Sequence, residues 1–144
     1  MSVDFVVFDP DVAPHDGKRF RAWYDEQVDW DIDAPDPEPI ILGHSLRRWY
    51  DSMTASFPDM NRTQAEGDTA IDYCFNKHFM YCSMRPSQSD EAWKLAQELA
   101  ASLNLGTYDP MSDDERSNRC IVFPDGPLPN DPSWLSRIFG KTKG

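Results

Sequence analysis

Residues 70–85 read AIDYCFNKHFMYCSMR, two aromatic-rich runs on either side of a short polar break. In the first run Ile71, Tyr73 and Phe75 alternate with Asp72 and Cys74; in the second Phe79, Tyr81 and Ser83 alternate with Met80, Cys82 and Met84. A period of two with β-branched and aromatic residues is the pattern of a strand. The break at Asn76-Lys77-His78 is short enough only for a tight turn, so the stretch predicts an antiparallel hairpin. Pro86 then ends it.

Working outward, VDFVVF at 3–8 predicts another strand, ended by Asp9-Pro10. Asp16 is placed to cap a helix running to about Trp30, with Phe20, Trp23, Tyr24, Gln27 and Val28 on one face. Asp25, Glu26 and Asp29 fall on the other face, where Asp25 and Asp29 are like charges four residues apart and cost a helix about 0.2–0.5 kcal/mol. Leu46, Trp49, Tyr50, Met53 and Phe57 mark a second helix that Pro58 closes. A third follows the hairpin, with Ser87 or Ser89 as its cap and Ala92, Leu95, Ala96, Leu99, Ala100 and Leu103 as its stripe; Asn104 and Gly106 stop it. GTYDPM and RCIVFPDG predict two short strands around the charged loop SDDERSN. The order β-α-α-β-β-α-β-β describes an α+β fold: one mostly antiparallel sheet packed by about three helices. The expected domain is 1–126. Residues 127–144 form a Pro-rich, then basic tail, in which Trp134, Leu135, Ile138 and Phe139 have the spacing of a short docked helix.

The charge is regional. The chain of 144 residues has a formal net charge of −11. Residues 1–60 carry 13 Asp/Glu against 5 Lys/Arg, while 61–144 carry 12 against 9. DEQVDWDIDAPDPE, residues 25–38, holds seven carboxylates and no Lys or Arg, and continues into a three-proline linker. Such a chain repels phosphates, which speaks against nucleic acid and against an anionic membrane, and it attracts basic proteins. Asp25, Asp29, Asp31, Asp33, Asp36 and Glu38 are therefore the candidate partner-binding residues. The plain alternative for the same residues is a solvated face that keeps the chain in solution.

Chemistry leaves fewer marks. His15, His44 and His78 sit in unrelated segments without metal-ligand spacing, and no nucleophile elbow, glycine-rich phosphate loop or P-loop occurs. DIDAPDPE has the look of a calcium loop but lacks its central Gly and terminal Glu. YCFNKHFMYC contains Cys and His, yet strand alternation explains the same residues as core and turn. The expectation is a protein without catalytic residues, metal or cofactor. Cys74, Cys82 and Cys120 form no C-x-x-C pair and are expected to be reduced and mostly buried. With no targeting segment and no apolar run of about 18 residues, the chain is expected to be cytoplasmic.

Taken together, VVFDPDVAP, FRAWYDEQVDW, LRRWYDSMTASFPDMN, DYCFNKHFMYCSM, AWKLAQELAASLNLGTYDP and VFPDG resemble a family of small bacterial proteins found beside polymorphic toxins. That family includes immunity proteins of contact-dependent growth inhibition systems, and the resemblance covers residues 3–126. It implies a protein that binds and neutralises the C-terminal domain of a cognate toxin, a basic nuclease being one form of such a partner. The alternative is a small enzyme or ligand-binding domain with an aromatic-lined pocket.

Overall fold

A computed structural model describes residues 2–62, 69–112 and 117–130. The chain is α+β, with three α-helices and a six-stranded sheet in the described residues. Strand β1 is Val3–Phe8 and helix α1 is Gly17–Gln27. A short 3-10 helix, Pro39–Ile41, leads into α2, His44–Ser56. The hairpin is β2, Asp72–Asn76, and β3, Phe79–Met84. Helix α3, Pro86–Ser102, is followed by β4, Gly106–Tyr108, β5, Ile121–Phe123, and β6, Gly126–Pro127. The order across the sheet is β2-β3-β1-β4-β5-β6, with every neighbouring pair antiparallel.

Strand β1 is central because both its faces are apolar. Phe5 and Val7 point to one face, where Tyr73–Cys82–Phe5 and Phe75–Met80–Val7 lie in rows across three strands. Helices α2 and α3 cover this face with Leu46, Trp49, Tyr50, Met53, Ala92, Ala96 and Ala100. The alanine stripe brings the α3 backbone close enough for the Trp49 indole N–H to donate to Ala96 O at 3.1 Å. Val6 and Phe8 point to the other face, where α1 adds Phe20, Trp23 and Tyr24. Phe8 sits opposite Gly106, and a Cβ at Gly106 would run into the Phe8 ring. Beyond α1 that face turns polar: Asp4 accepts from Tyr81 Oη at 2.6 Å and from Ser83 Oγ at 2.8 Å.

Asp16 caps α1 as expected, accepting from the Arg19 amide at 3.0 Å. Several local expectations are corrected. Helix α1 ends at Gln27, not Trp30: Val28 closes it on Tyr24 O, and Trp30 turns back onto Phe79 at a ring distance of 6.2 Å. Asp29 is therefore outside the helix, and the repulsion expected between it and Asp25 on one helical face does not apply. The cap of α3 is Arg85 with Pro86 in its first turn; Ser89 Oγ bonds Pro86 O instead. A proline whose φ already suits the first turn takes the place of a side-chain cap. Asn104 stops α3 at φ 56°, and Leu105 N closes on Ala100 O at 2.9 Å, an Asn version of the left-handed C-terminal motif. The sequence reading lacks the sixth strand; the described chain runs past 126 into it, and Leu128 is buried in the second core. The helix expected around Trp134–Phe139 lies outside the described residues. Of the tryptophans on the helices, Trp49 is fully buried, while Trp23 and Trp93 are partly buried against the two cores. Cys82 is buried and Cys74 and Cys120 are half-buried; none of the three forms a disulfide. No described helix is long and apolar enough to cross a membrane.

Two substitutions test this packing. Trp49→Ala removes a fully buried indole and its bond to α3, and is expected to cost about 3–5 kcal/mol in denaturant unfolding. Gly106→Ala forces the buried Phe8 ring to move and is expected to cost about 1–3 kcal/mol. Wild-type midpoints in both variants would mean that neither helix nor strand seats as described.

Candidate binding surface

The acidic segment runs from the end of α1 along the outer edge of β2. Asp25, Asp29, Asp31, Asp33 and Asp36 are exposed, and none forms an ion pair with another described residue. Asp25 and Glu26 stand in the last turn of α1, which has no basic residue. Carboxylates at a helix C-terminus oppose the macrodipole, at a cost of about 0.3–1 kcal/mol each. They are tolerated by this helix and do not support it. Asp31 folds the start of the linker: its Oδ1 accepts from Asp33 N at 3.0 Å, and its carbonyl accepts from Ala34 N at 3.1 Å.

Glu38 differs from the other five because it is engaged. Arg62 Nη1 donates to Glu38 Oε2 at 3.3 Å, and Arg62 Nη2 donates to Pro37 O. The same guanidinium lies over the Phe75 ring at 5.6 Å, with Nε 3.7 Å from Asp59 Oδ2. Asp59 is buried and accepts from Tyr50 Oη at 2.7 Å and from Asn61 N at 2.9 Å. Burial is the main cause that raises the Tyr50 hydroxyl far above its ordinary value, followed by its bond to Asp59. The linker is therefore tied through Arg62 to a buried carboxylate under α2. Arg62 and Asp59 are the anchor of the linker, and neither is among the six positions singled out from the sequence. Arg62 stands in the polar stretch NRTQAEGDT, which has no pattern that points to a partner, and Glu38 lies 24 residues away.

Apolar side chains accompany the acids. Among the described residues, exposed large apolar side chains concentrate here: Trp30 at 37%, Ile32 at 93%, Ile40 at 80% and Ile41 at 41%. Between the linker and the β2 edge is a recess of about 420 Å³, lined by Trp30, Ile32, Asp36, Arg62, Cys74 and Phe75 among others. The Cys74 thiol is pushed up to about 12, first by burial and then by Asp72, whose carboxylate is 3.5 Å away.

A larger cleft of about 750 Å³ opens at the far end of the sheet, lined by Asp9, Asp11, His15, His44, Lys77 and Asp125 among others. It is polar, not aromatic-lined. His78 beside it is held by Asp9 at 3.3 Å, and His15 stacks on Phe123 at 4.0 Å. No hydrogen bond joins Ser45 to a histidine, and no group of three or more His, Cys, Asp or Glu could hold a metal ion, among the described residues. Compared with known proteins, the chain matches no family model, no curated protein and no solved structure.

Two measurements check this account of the segment and its anchor. Tyr50→Phe removes a hydrogen bond to a buried carboxylate and is expected to cost about 1.5–3 kcal/mol of stability; no loss would place Asp59 in water. At pH 8 Cys74 is expected to react with iodoacetamide about a thousandfold more slowly than a free cysteine, since the thiolate is the nucleophile. Free-cysteine rates at Cys74 would mean the recess is not the sheltered place described.

Proposed function

We propose that this protein is a binding protein, an immunity protein that neutralises a basic toxin domain by docking it on the segment 25–41. One observation carries the reading: five carboxylates without a cationic partner among the described residues and four exposed apolar side chains share one short segment, which Arg62 fastens to the fold. An exposed apolar patch rimmed by charge is the composition of an interaction surface. Solubility alone accounts for the acids but gives no reason to expose Ile32 and Ile40 among them. The carboxylates would speed encounter with a cationic surface, and the apolar side chains would hold the complex once formed. Fastening matters because a segment already ordered loses less freedom on binding than a loose one. The resemblance to immunity-type proteins supplies the nature of the partner: a toxin that acts on phosphates presents a positive cleft, and an acidic surface can cover it.

The product of the gene directly upstream is the partner to test. Replacing Asp29, Asp31, Asp33 and Asp36 together by Asn is expected to slow association about tenfold or more at low ionic strength. The difference should vanish near 1 M salt, where screening reaches about 3 Å. Ile32→Ala with Ile40→Ala is expected to act mainly on dissociation. Unchanged kinetics in both variants, with the fold intact, would remove this segment from the interface.

A further inference from the structure

Among the described residues, the outer edge of β2 carries an unfinished strand pairing. Asp9 N donates to His78 O in register with the β1–β3 ladder, where Phe8 stands opposite Phe79. Hydrogen-bonded and non-bonded pairs alternate along an antiparallel ladder. Phe79, Tyr81 and Ser83 therefore direct their main-chain groups to β2, where they meet Asn76, Cys74 and Asp72. By the same alternation, the main-chain groups of Ile71, Tyr73 and Phe75 point away from β3. At Ile71 they are used: Ile71 N donates to Pro58 O at 2.9 Å, and Met60 N donates to Ile71 O at 3.0 Å. This bridge between Asp59 and Ile71 is a single pairing, and no described backbone group continues it. At Tyr73 and Phe75 the edge faces the recess under the linker, and both residues line it.

We propose that this edge is a strand-addition site, which takes an extended arginine- or lysine-bearing segment of the protein partner between β2 and residues 30–37. The inference rests on the acidic docking surface described above and specifies how the partner enters it. Tyr73 and Phe75 offer two N–H and two C=O groups at the two-residue spacing with which a strand presents its hydrogen-bonding groups on one side. A recess of about 420 Å³ has room for a short extended segment and not for a helix. Charge selects the occupant. Asp31 and Asp36 line the recess, while Arg62, the cation among the described lining residues, is already matched by Glu38 and Asp59. Of the aromatic lining residues, Trp30 is 37% exposed and offers its ring to a guanidinium. A second copy of the chain, itself at −11, would bring like charge to the same edge.

The test is amide hydrogen exchange by NMR on the full chain, with the peptide acetyl-(Arg-Val)3-amide as the probe and acetyl-(Glu-Val)3-amide as the control. The Tyr73 and Phe75 amides are expected to exchange at least tenfold more slowly with the arginine peptide, and unchanged with the glutamate peptide. The Cys74 amide, which points to β3, should not respond. Salt-sensitive shifts at Asp31, Asp33 and Asp36 without slowing at Tyr73 and Phe75 would overturn strand addition and leave the acidic surface as the docking site. No shift anywhere on the segment would overturn strand addition and count against the acidic surface as well. Equal slowing with both peptides would overturn the charge selection on which the choice of occupant rests.

Discussion

The structure depends on one strand that is buried on both sides. Val3–Phe8 sits between β3 and β4, and its alternate residues feed two separate cores. Phe5 and Val7 receive α2 and α3, while Val6 and Phe8 receive α1. A strand in that position cannot shift register by one residue without exchanging the two sets, so the placement of all three helices is fixed together. Gly106 shows how close the fit is, since the strand beside β1 must surrender a side chain where the Phe8 ring lies.

Placing β1 in the middle leaves β2 at the sheet's edge, and an open edge invites pairing with other chains. The segment after α1 runs along this edge, with prolines at 35, 37 and 39 and a line of carboxylates. Proline and charge are the usual guards of an edge, because they spoil pairing with an unselected strand. Here the guard stands off far enough to leave a recess, and its charge admits one class of visitor more readily than others. Protection and recognition thus come from the same residues. Arg62 makes this possible by spending its guanidinium on the linker on one side and on the buried Asp59 on the other.

The elements were legible where a period repeats. The hairpin, β1 and the buried faces of α2 and α3 follow from alternation and from helical spacing. Asp16 was legible as a cap because a short polar side chain stands just before an apolar helical face. What the sequence conceals is what depends on distant partners. Nothing in VDFVVF says that β1 has two neighbours, and nothing in PDMNR says that Asp59 is buried or that Arg62 reaches Glu38. The end of α1 was hidden for the same reason: Trp30 fits the helical pattern as far as Val28 allows, but the Phe79 ring offers it a better place. The six acidic positions were readable as a group from composition. Their division into five carboxylates without an ion pair among the described residues and one anchor was not, since it is set by an arginine in another loop.

For docking, the acidic segment must be a fixed surface and not a tether. Backbone relaxation by NMR measures this directly. Order parameters of about 0.8 or above across Asp31–Glu38 are predicted for the wild-type chain, close to a rigid backbone. In Arg62→Ala they are predicted to fall below about 0.6 in the linker while β1 and β3 stay rigid. Values below about 0.6 in the wild type would contradict the account, because the carboxylates would then be a mobile cloud with no recess beneath them.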